Sequence, residues 1–472
     1  MAFAEILFGA VVFTLSYIYF RWSKAQSYWI EESVPHKPFH PIFGSLTFLQ
    51  KINPGVWMRQ IYEEFRTPYI GIWLFWRPAL VVNSPEIARN ILTKDSSVFR
   101  DRFLSCANSD HLGKLNLFIS KEPEWGNARR RLTVAFSTAK LRAMDDFFLS
   151  KAKELLQRIE KEQGTQIDTK ELYSDYTTDI IGTAAFGVKC NATLTGTDPI
   201  RSITKKFGEY STLRGLNWCS IYFLPDVANF FREASDNSDD CKDVLGALLK
   251  IKNNNQNTDP ENFVVAQAAI FLNAGFDTTG SVLAYTTYEL AHYPEIQDKL
   301  YRELLEVKEK FGSENFDSNV LSEVTYLNCV IKESLRKYSP MAWLDRVAAT
   351  DYKIDNQLTI KAGTPVYING IGMHYDPDYF PDPDNFVPDR FLPENESKIV
   401  SYSYIPFGEG PRNCIGLRFG MMILRIALAL VFLNYRVEKI PGTQRPVDIK
   451  IENRGMFYTP GEPLQVKYIP RN

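Results

Sequence analysis

Residues 407–416 read Phe-Gly-Glu-Gly-Pro-Arg-Asn-Cys-Ile-Gly, and an apolar segment, 417–433, follows at once. A single cysteine, Cys414, sits among glycines, with Arg412 two residues before it. Glycine lets a backbone turn approach a flat ligand closely, and the free amides of such a turn can hydrogen-bond a sulfur anion. A nearby guanidinium and a helix N-terminus both lower a thiol's pKa. The stretch describes a cysteine poised as a thiolate at the mouth of a helix, against the commoner fate of a lone cysteine as buried packing.

Working outward, composition excludes more than it assigns. The chain has 472 residues, 45% hydrophobic and 14% aromatic, ample for a substantial core. Lys and Arg (54) balance Asp and Glu (56) to a net charge of −2, so no global field attracts nucleic acid. Six scattered cysteines without a Cys-x-x-Cys pair fit a reducing compartment. Five histidines with no His-Glu-x-x-His leave little for a zinc site. The N-terminus is the exception to this blandness. Residues 2–20 carry one charge, Glu5, and Arg21 and Lys24 follow, which predicts a membrane anchor over 1–20 with everything after Arg21 in the cytosol. The Asn-x-Ser/Thr matches at Asn191 and Asn395 would then carry no glycan.

Pro35, Pro38, Pro41 and Gly44 predict a stiff tether, so 21–44 is assigned as a proline-rich linker and 45–472 as one large domain. Residues 69–76 and 79–82 read as two strands turning at Arg77-Pro78, and Ser84-Pro85 as a helix start. From about 125 to 350 the periodicity is mostly helical; strand signals return at 357–369 and 448–468. The fold class is mainly α with small β-sheets.

Three further constellations stand out. Ala274-Gly-Phe-Asp-Thr-Thr279 lies in a helical segment, 261–292, apolar almost all round between 263 and 276. An Asp there is costly unless satisfied or used, whereas an isolated Thr would by default bond back to the preceding turn. Glu333 and Arg336 are one turn apart and can pair, a weak signal since Glu63/Arg66 and Glu86/Arg89 share the spacing. Trp125 and Arg129 share a helical face, while Arg130 and Arg131 read equally as a solvated basic face or a docking surface.

Taken together, these residues resemble the cytochrome P450 family. Phe407, Gly410, Arg412, Cys414 and Gly416 match every fixed position of its haem-ligand loop, and the resemblance extends over essentially the whole chain. It implies a single haem domain behind an N-terminal anchor, with haem b (iron protoporphyrin IX) held by Cys414 as axial thiolate, whose electron donation favours O–O cleavage. Phe407 would pack near the thiolate. Arg412, Trp125, Arg129 and Arg346 would meet the haem propionates. Asp277 and Thr278 would form the acid–alcohol pair of the oxygen-activating helix, with Ala274 and Gly275 giving room beside the haem. Glu333, Arg336 and Arg390 would lock the segment behind the cysteine loop.

Details such as 268–280 and 347–354 look like the microsomal branch that includes the insect family 6 and vertebrate 3A enzymes. The implied reaction puts one oxygen atom of O2 into a small hydrophobic substrate. No Gly-x-Gly-x-x-Gly fingerprint or Walker loop is present, so electrons would come from a separate NADPH–cytochrome P450 reductase, with cytochrome b5 as a second donor. Substrate would be touched by the 103–118 loop, Phe271, Ala274, Trp343 and Phe457. The location implied is the endoplasmic reticulum membrane, spanned once. Trp218, Ile221, Phe223 and Leu224 read as an interfacial patch. Relative to the family, 232–242 looks shortened, which bears on the roof of the substrate channel. A haem-thiolate isomerase and a haem sensor without turnover are the rival readings.

Overall fold

The computed structural model describes residues 2–106, 110–209, 211–223, 259–312 and 316–471. The segment 232–242 and Leu224 lie outside the described residues.

Helices dominate. The longer ones are α1 (Ala2–Glu31), α2 (Pro54–Phe65), α3 (Glu124–Thr133), α4 (Asp145–Lys161), α5 (Thr169–Phe186), α6 (Thr212–Phe223), α7 (Asp259–His292), α8 (Pro294–Phe311), α9 (Thr325–Lys337) and α10 (Leu417–Asn434). A four-stranded sheet has the order β1 (Tyr69–Leu74), β2 (Arg77–Val82), β7 (Pro365–Ile368), β4 (Leu344–Val347). A second joins β3 (Ile167–Asp168), β9 (Gln465–Pro470) and β8 (Tyr435–Lys439), and β5 (Tyr352–Lys353) pairs with β6 (Thr359–Ile360). The fold is thus mainly α with small sheets, as the periodicity indicates.

α7 runs through the core because its apolar positions encircle it. It lies along α5, where the Thr177 hydroxyl donates to the Phe276 carbonyl at 2.8 Å and Tyr173 Oη meets Thr287 Oγ1 at 2.8 Å. Gly280 permits the approach: a Cβ there would sit 3.1 Å from Thr177 Oγ1. α5 starts where Asp168 accepts from the Lys170 amide and stops at Gly187, left-handed at φ 64. α10 is apolar enough to span a membrane, yet most of it is buried as a core helix.

Three boundaries depart from the sequence reading. α1 does not stop at residue 20; it runs on to Glu31 through half of the expected linker. Nothing between Arg21 and Glu31 breaks a helix, and Ala25 and Trp29 are buried against the first sheet. The β1–β2 turn falls at Phe75-Trp76, with Phe75 left-handed at φ 54, and Pro78 sits within β2 opposite Trp73. β2 pairs with β7 only over Leu80–Val82, so the missing Pro78 amide interrupts no ladder there. The strand Tyr435–Lys439 follows α10 directly, with no Gly or Pro in the sequence to mark the change.

Behind the cysteine loop, Glu333 holds Arg336 through two 2.8 Å bonds, both side chains fully buried. Arg390 approaches Glu333 at 3.5 Å. Arg336 also donates to the carbonyls of His374, Pro383 and Asn385, and Glu333 accepts from the Val387 amide. The pair therefore ties α9 to the irregular segment before the loop. A buried charge pair supplies more order than net stability, but breaking one leaves the other charge uncompensated. His374 joins in: Nε2 accepts from the Ile405 amide at 3.0 Å, so Nδ1 carries the proton and donates to the Arg336 carbonyl. Burial, then Arg336, push its pKa down to about 3.

Candidate active site

The loop before α10 is built as its glycines demand. Gly408 and Gly410 are left-handed at φ 69 and 73. A Cβ on Gly410 would lie 1.9 Å from the Leu92 carbonyl oxygen, so only glycine fits there. The turn closes when the Cys414 amide donates to the Phe407 carbonyl at 2.8 Å. Cys414 is exposed, although protein atoms surround its thiol. Burial pushes the thiol pKa up, against the Gly416 amide, Arg129 and Arg102, which pull it down. Cys106, Cys190, Cys219 and Cys329 are buried elsewhere; Cys241 lies outside the described residues.

Around that loop the structure gathers cations from four chain segments. The Arg412 guanidinium lies over Trp125 of α3, 4.2 Å from the ring centroid, and donates to the Arg100 and Ser120 carbonyls and to Asp101. Arg129 holds Asn413 through its carbonyl (2.9 Å) and Oδ1 (2.7 Å). Arg346 of β4 is buried and lines a small cavity with Trp125 and Arg412. Sequence reasoning missed Arg102 and Lys121. Arg102 reaches Asp345 at 3.7 Å and the Arg412 carbonyl at 3.5 Å, and Lys121 donates to the Arg102 and Leu104 carbonyls. Neither falls in a recognisable spacing; only the fold brings them to the loop.

Arg102, Lys121, Arg346 and Arg412 thus face three carboxylates, Asp101, Glu122 and Asp345, with Arg129 beside Cys414. Nη1 of both Arg102 and Arg412 is buried without a hydrogen-bond partner. Burial first, then Arg102, lower the pKa of Arg346 to about 9 and of Arg412 to about 10. Such a cluster has surplus donors and surplus positive charge, and a ligand bearing carboxylates would satisfy both.

α7 crosses near the start of α10. Phe271 packs on Phe136 at 5.4 Å, Phe136 on Phe419 at 6.3 Å, and Phe271 and Ile415 join the cluster around Trp125. Ala274 is exposed on this helix. Thr278 does bond back one turn, donating to the Ala274 carbonyl at 2.5 Å. Its hydrogen is committed there, so the oxygen is left as an acceptor. Asp277 leaves the helix about 100° away. It is buried, pairs with Lys170 of α5 at 3.6 Å, and lines a crevice with Asn273, Trp218 and Phe457. Among the described residues no hydrogen bond joins Asp277 to Thr278.

Some expectations are corrected. Gly275 does not make room at the cysteine side: a Cβ there would sit 2.8 Å from Ile181, so this glycine admits α5. Trp343 is buried beneath Phe223, stacked at 5.8 Å, and so is no open substrate contact. For the same reason Phe223 leaves the expected interfacial patch; Leu213 and Leu216 are the exposed apolar residues of α6. Arg130 and Arg131 are exposed.

A mainly helical domain with a cysteine loop ahead of a buried helix defines a class that the comparisons place. The cytochrome P450 family model matches residues 34–235 and 227–468. Cytochrome P450 6k1 of Blattella germanica is 32% identical over 96% of this chain and 95% of its own length. Probable cytochrome P450 6a19 of Drosophila melanogaster (31%; 95% and 96%) and cytochrome P450 6A1 of Musca domestica (31%; 98% and 97%) are similar. The chain belongs to the cytochrome P450 family, resembles its insect family 6 members, and is a monooxygenase.

The haem that the family carries suits these residues. An exposed thiol, glycines that bring the loop backbone close, and guanidinium Nη1 groups without a hydrogen-bond partner are what a flat, iron-bearing dicarboxylate requires.

Proposed function

We propose that the chain holds haem b through Cys414 and oxidises a small hydrophobic molecule with electrons from NADPH–cytochrome P450 reductase, cytochrome b5 serving as a second donor. The carrying observation is the exposed Cys414 thiol beside a cluster in which cations outnumber carboxylates. Bound there, the haem supplies oxygen activation, and thiolate ligation favours O–O cleavage. Arg412, Arg346, Arg129 and Trp125, with Arg102, would hold its carboxylates and exclude water from that edge. Phe407 accepts from the Cys414 amide through its carbonyl and fixes the thiol's direction.

On the other side, the Thr278 oxygen would accept a hydrogen bond from a water beside the haem. Asp277, held by Lys170, takes protons from the outer side of α7 and passes them along water to that hydroxyl. Positioned acid–base groups contribute about a hundredfold to ten-thousandfold. Phe271, Ala274 and Phe457 supply an apolar lining. The substrate class is hormones or xenobiotics such as insecticides.

α1 is long and apolar enough to cross a membrane, and its exposed apolar residues with Arg21 and Lys24 behind them support a single-pass anchor in the endoplasmic reticulum with the domain in the cytosol. The test is spectroscopic. Reduced protein under carbon monoxide is expected to show the red-shifted Soret band of thiolate-ligated haem, lost in Cys414→His and kept in Cys329→Ala. The reverse pattern overturns the assignment.

A further inference from the structure

Two polar side chains, Gln267 and Asn273, interrupt the apolar stretch of α7 between 263 and 276. Their surroundings differ. Gln267 is used up on the chain before α3: Oε1 accepts from the Leu117 amide at 2.9 Å, and Nε2 donates to the Leu115 carbonyl at 2.6 Å. Asn273 is only 9% exposed, yet among the described residues no hydrogen bond reaches its carboxamide. A buried amide carries two donors and an acceptor, and leaving them unmatched is unfavourable.

Asn273 faces the crevice that Asp277, one turn further along α7, also lines. The side chains around the two are apolar, namely Trp218, Phe276, Met456 and Phe457. The Asp277 carboxylate is committed to Lys170 at 3.6 Å. Asn273 is therefore a neutral donor and acceptor set in an apolar wall with its hydrogen bonds unmade.

Ala274 is exposed on the adjoining face of α7, which also carries Thr278. Side-chain tips of consecutive residues, 100° apart on a helix ~11 Å across, are separated by about 8 Å. A molecule lying over Ala274 with a polar atom at Asn273 spans that distance. Charged groups suit the crevice poorly, since an anion meets Asp277 within one turn and a cation meets Lys170. What fits is a neutral oxygen.

We infer that the Asn273 carboxamide holds the substrate by hydrogen-bonding a neutral ketone, ester or hydroxyl oxygen about 8 Å from the carbon that is oxidised. Substrates are then apolar molecules bearing one such oxygen away from the reacting end, not plain hydrocarbons or fatty-acid anions. A site built around a polar group selects by leaving that group unpaired when the wrong molecule binds. This rests on the oxidation of a hydrophobic molecule proposed above.

The test uses the haem-loaded full-length chain with 2-dodecanone, dodecane and dodecanoate, which share one chain length. Equilibrium dialysis reads binding, and the infrared C=O stretch of the bound ketone reads the hydrogen bond. Asn273→Leu, close in size and apolar, is expected to weaken 2-dodecanone about tenfold while leaving dodecane unchanged. The C=O stretch should return to its value in hydrocarbon solvent. Because this variant removes an unmatched buried amide, its melting temperature should rise. Dodecanoate should bind the unsubstituted chain more weakly than the ketone. With reductase and NADPH, oxidation of the ketone is expected about six or seven carbons from the carbonyl, the extended equivalent of ~8 Å and short of the chain end. In Asn273→Leu that position should scatter. Asn273→Gln keeps the carboxamide, covers the case in which Asn273→Leu fails to fold, and is expected to retain most of the ketone's binding.

Unchanged ketone binding and C=O stretch in Asn273→Leu overturn the inference. A lower melting temperature with ketone and alkane weakened alike gives Asn273 a structural role and overturns it too. An unsubstituted chain whose reduced form lacks the carbon-monoxide band of thiolate-ligated haem overturns the proposed function instead.

Discussion

The Arg412 guanidinium rests on the indole of Trp125, its Cζ 4.2 Å from the ring centroid, so the cysteine loop is braced by α3 through a cation–π contact. In a desolvated site such a contact is worth about 2 kcal/mol. Trp125→Ala is expected to lower haem retention by up to ~30-fold on that basis, and Trp125→Phe by much less. The haem-to-protein ratio after gel filtration measures it. Equal retention in both variants contradicts the brace.

Gly410→Ala is expected to be more damaging than its size implies. The added Cβ meets the Leu92 carbonyl oxygen at 1.9 Å in a left-handed backbone. Left-handed strain alone costs about 1–2 kcal/mol, and the overlap forces the loop to move. Most of the carbon-monoxide signal of thiolate-ligated haem should be lost, with a lower melting temperature. A fully retained band would place the loop elsewhere.

Thr278→Ala removes an acceptor without touching Cys414 or the cation cluster. NADPH oxidation should continue, hydrogen peroxide should rise, and product per NADPH should fall several-fold. Asp277→Asn, which breaks the pair with Lys170, should slow all three together. Following the three quantities in one reaction separates the cases, and full coupling in Thr278→Ala removes that residue from proton delivery.

Acid should loosen the segment behind the cysteine loop. The folded His374 resists protonation down to about pH 3, whereas the unfolded imidazole titrates near 6.5. The unfolded chain therefore gains the proton first; the stabilising effect is complete above about 6.5 and is lost as pH falls towards 3. At pH 5 the linkage amounts to about 2 kcal/mol. The urea midpoint should drop between pH 7.5 and 5, and His374→Gln should flatten the drop. A midpoint independent of pH in the unsubstituted protein contradicts it.

Features built from residues close in the chain are legible in the sequence. The glycine loop around Cys414, the all-round apolar α7, the one-turn Glu333–Arg336 pair and the apolar start of α1 each carry a local signal. Spacing, period and backbone freedom are properties of the chain itself. The sequence alone therefore determined the fold class and pointed to the cysteine loop.

What only the tertiary structure decided is which distant groups meet. Arg102 and Lys121 enter the cation cluster because the chain after β2 and its loops converge on the Cys414 turn. Gly275 serves α5, and Trp343 disappears under Phe223, since side-chain direction on a helix or strand is set by its neighbours. α1 extends to Glu31 because burial of Ala25 and Trp29 against the first sheet stabilises turns that periodicity alone does not mark. Long-range packing is a sum over partners from separate parts of the chain, and no window along the sequence contains both halves of the sum.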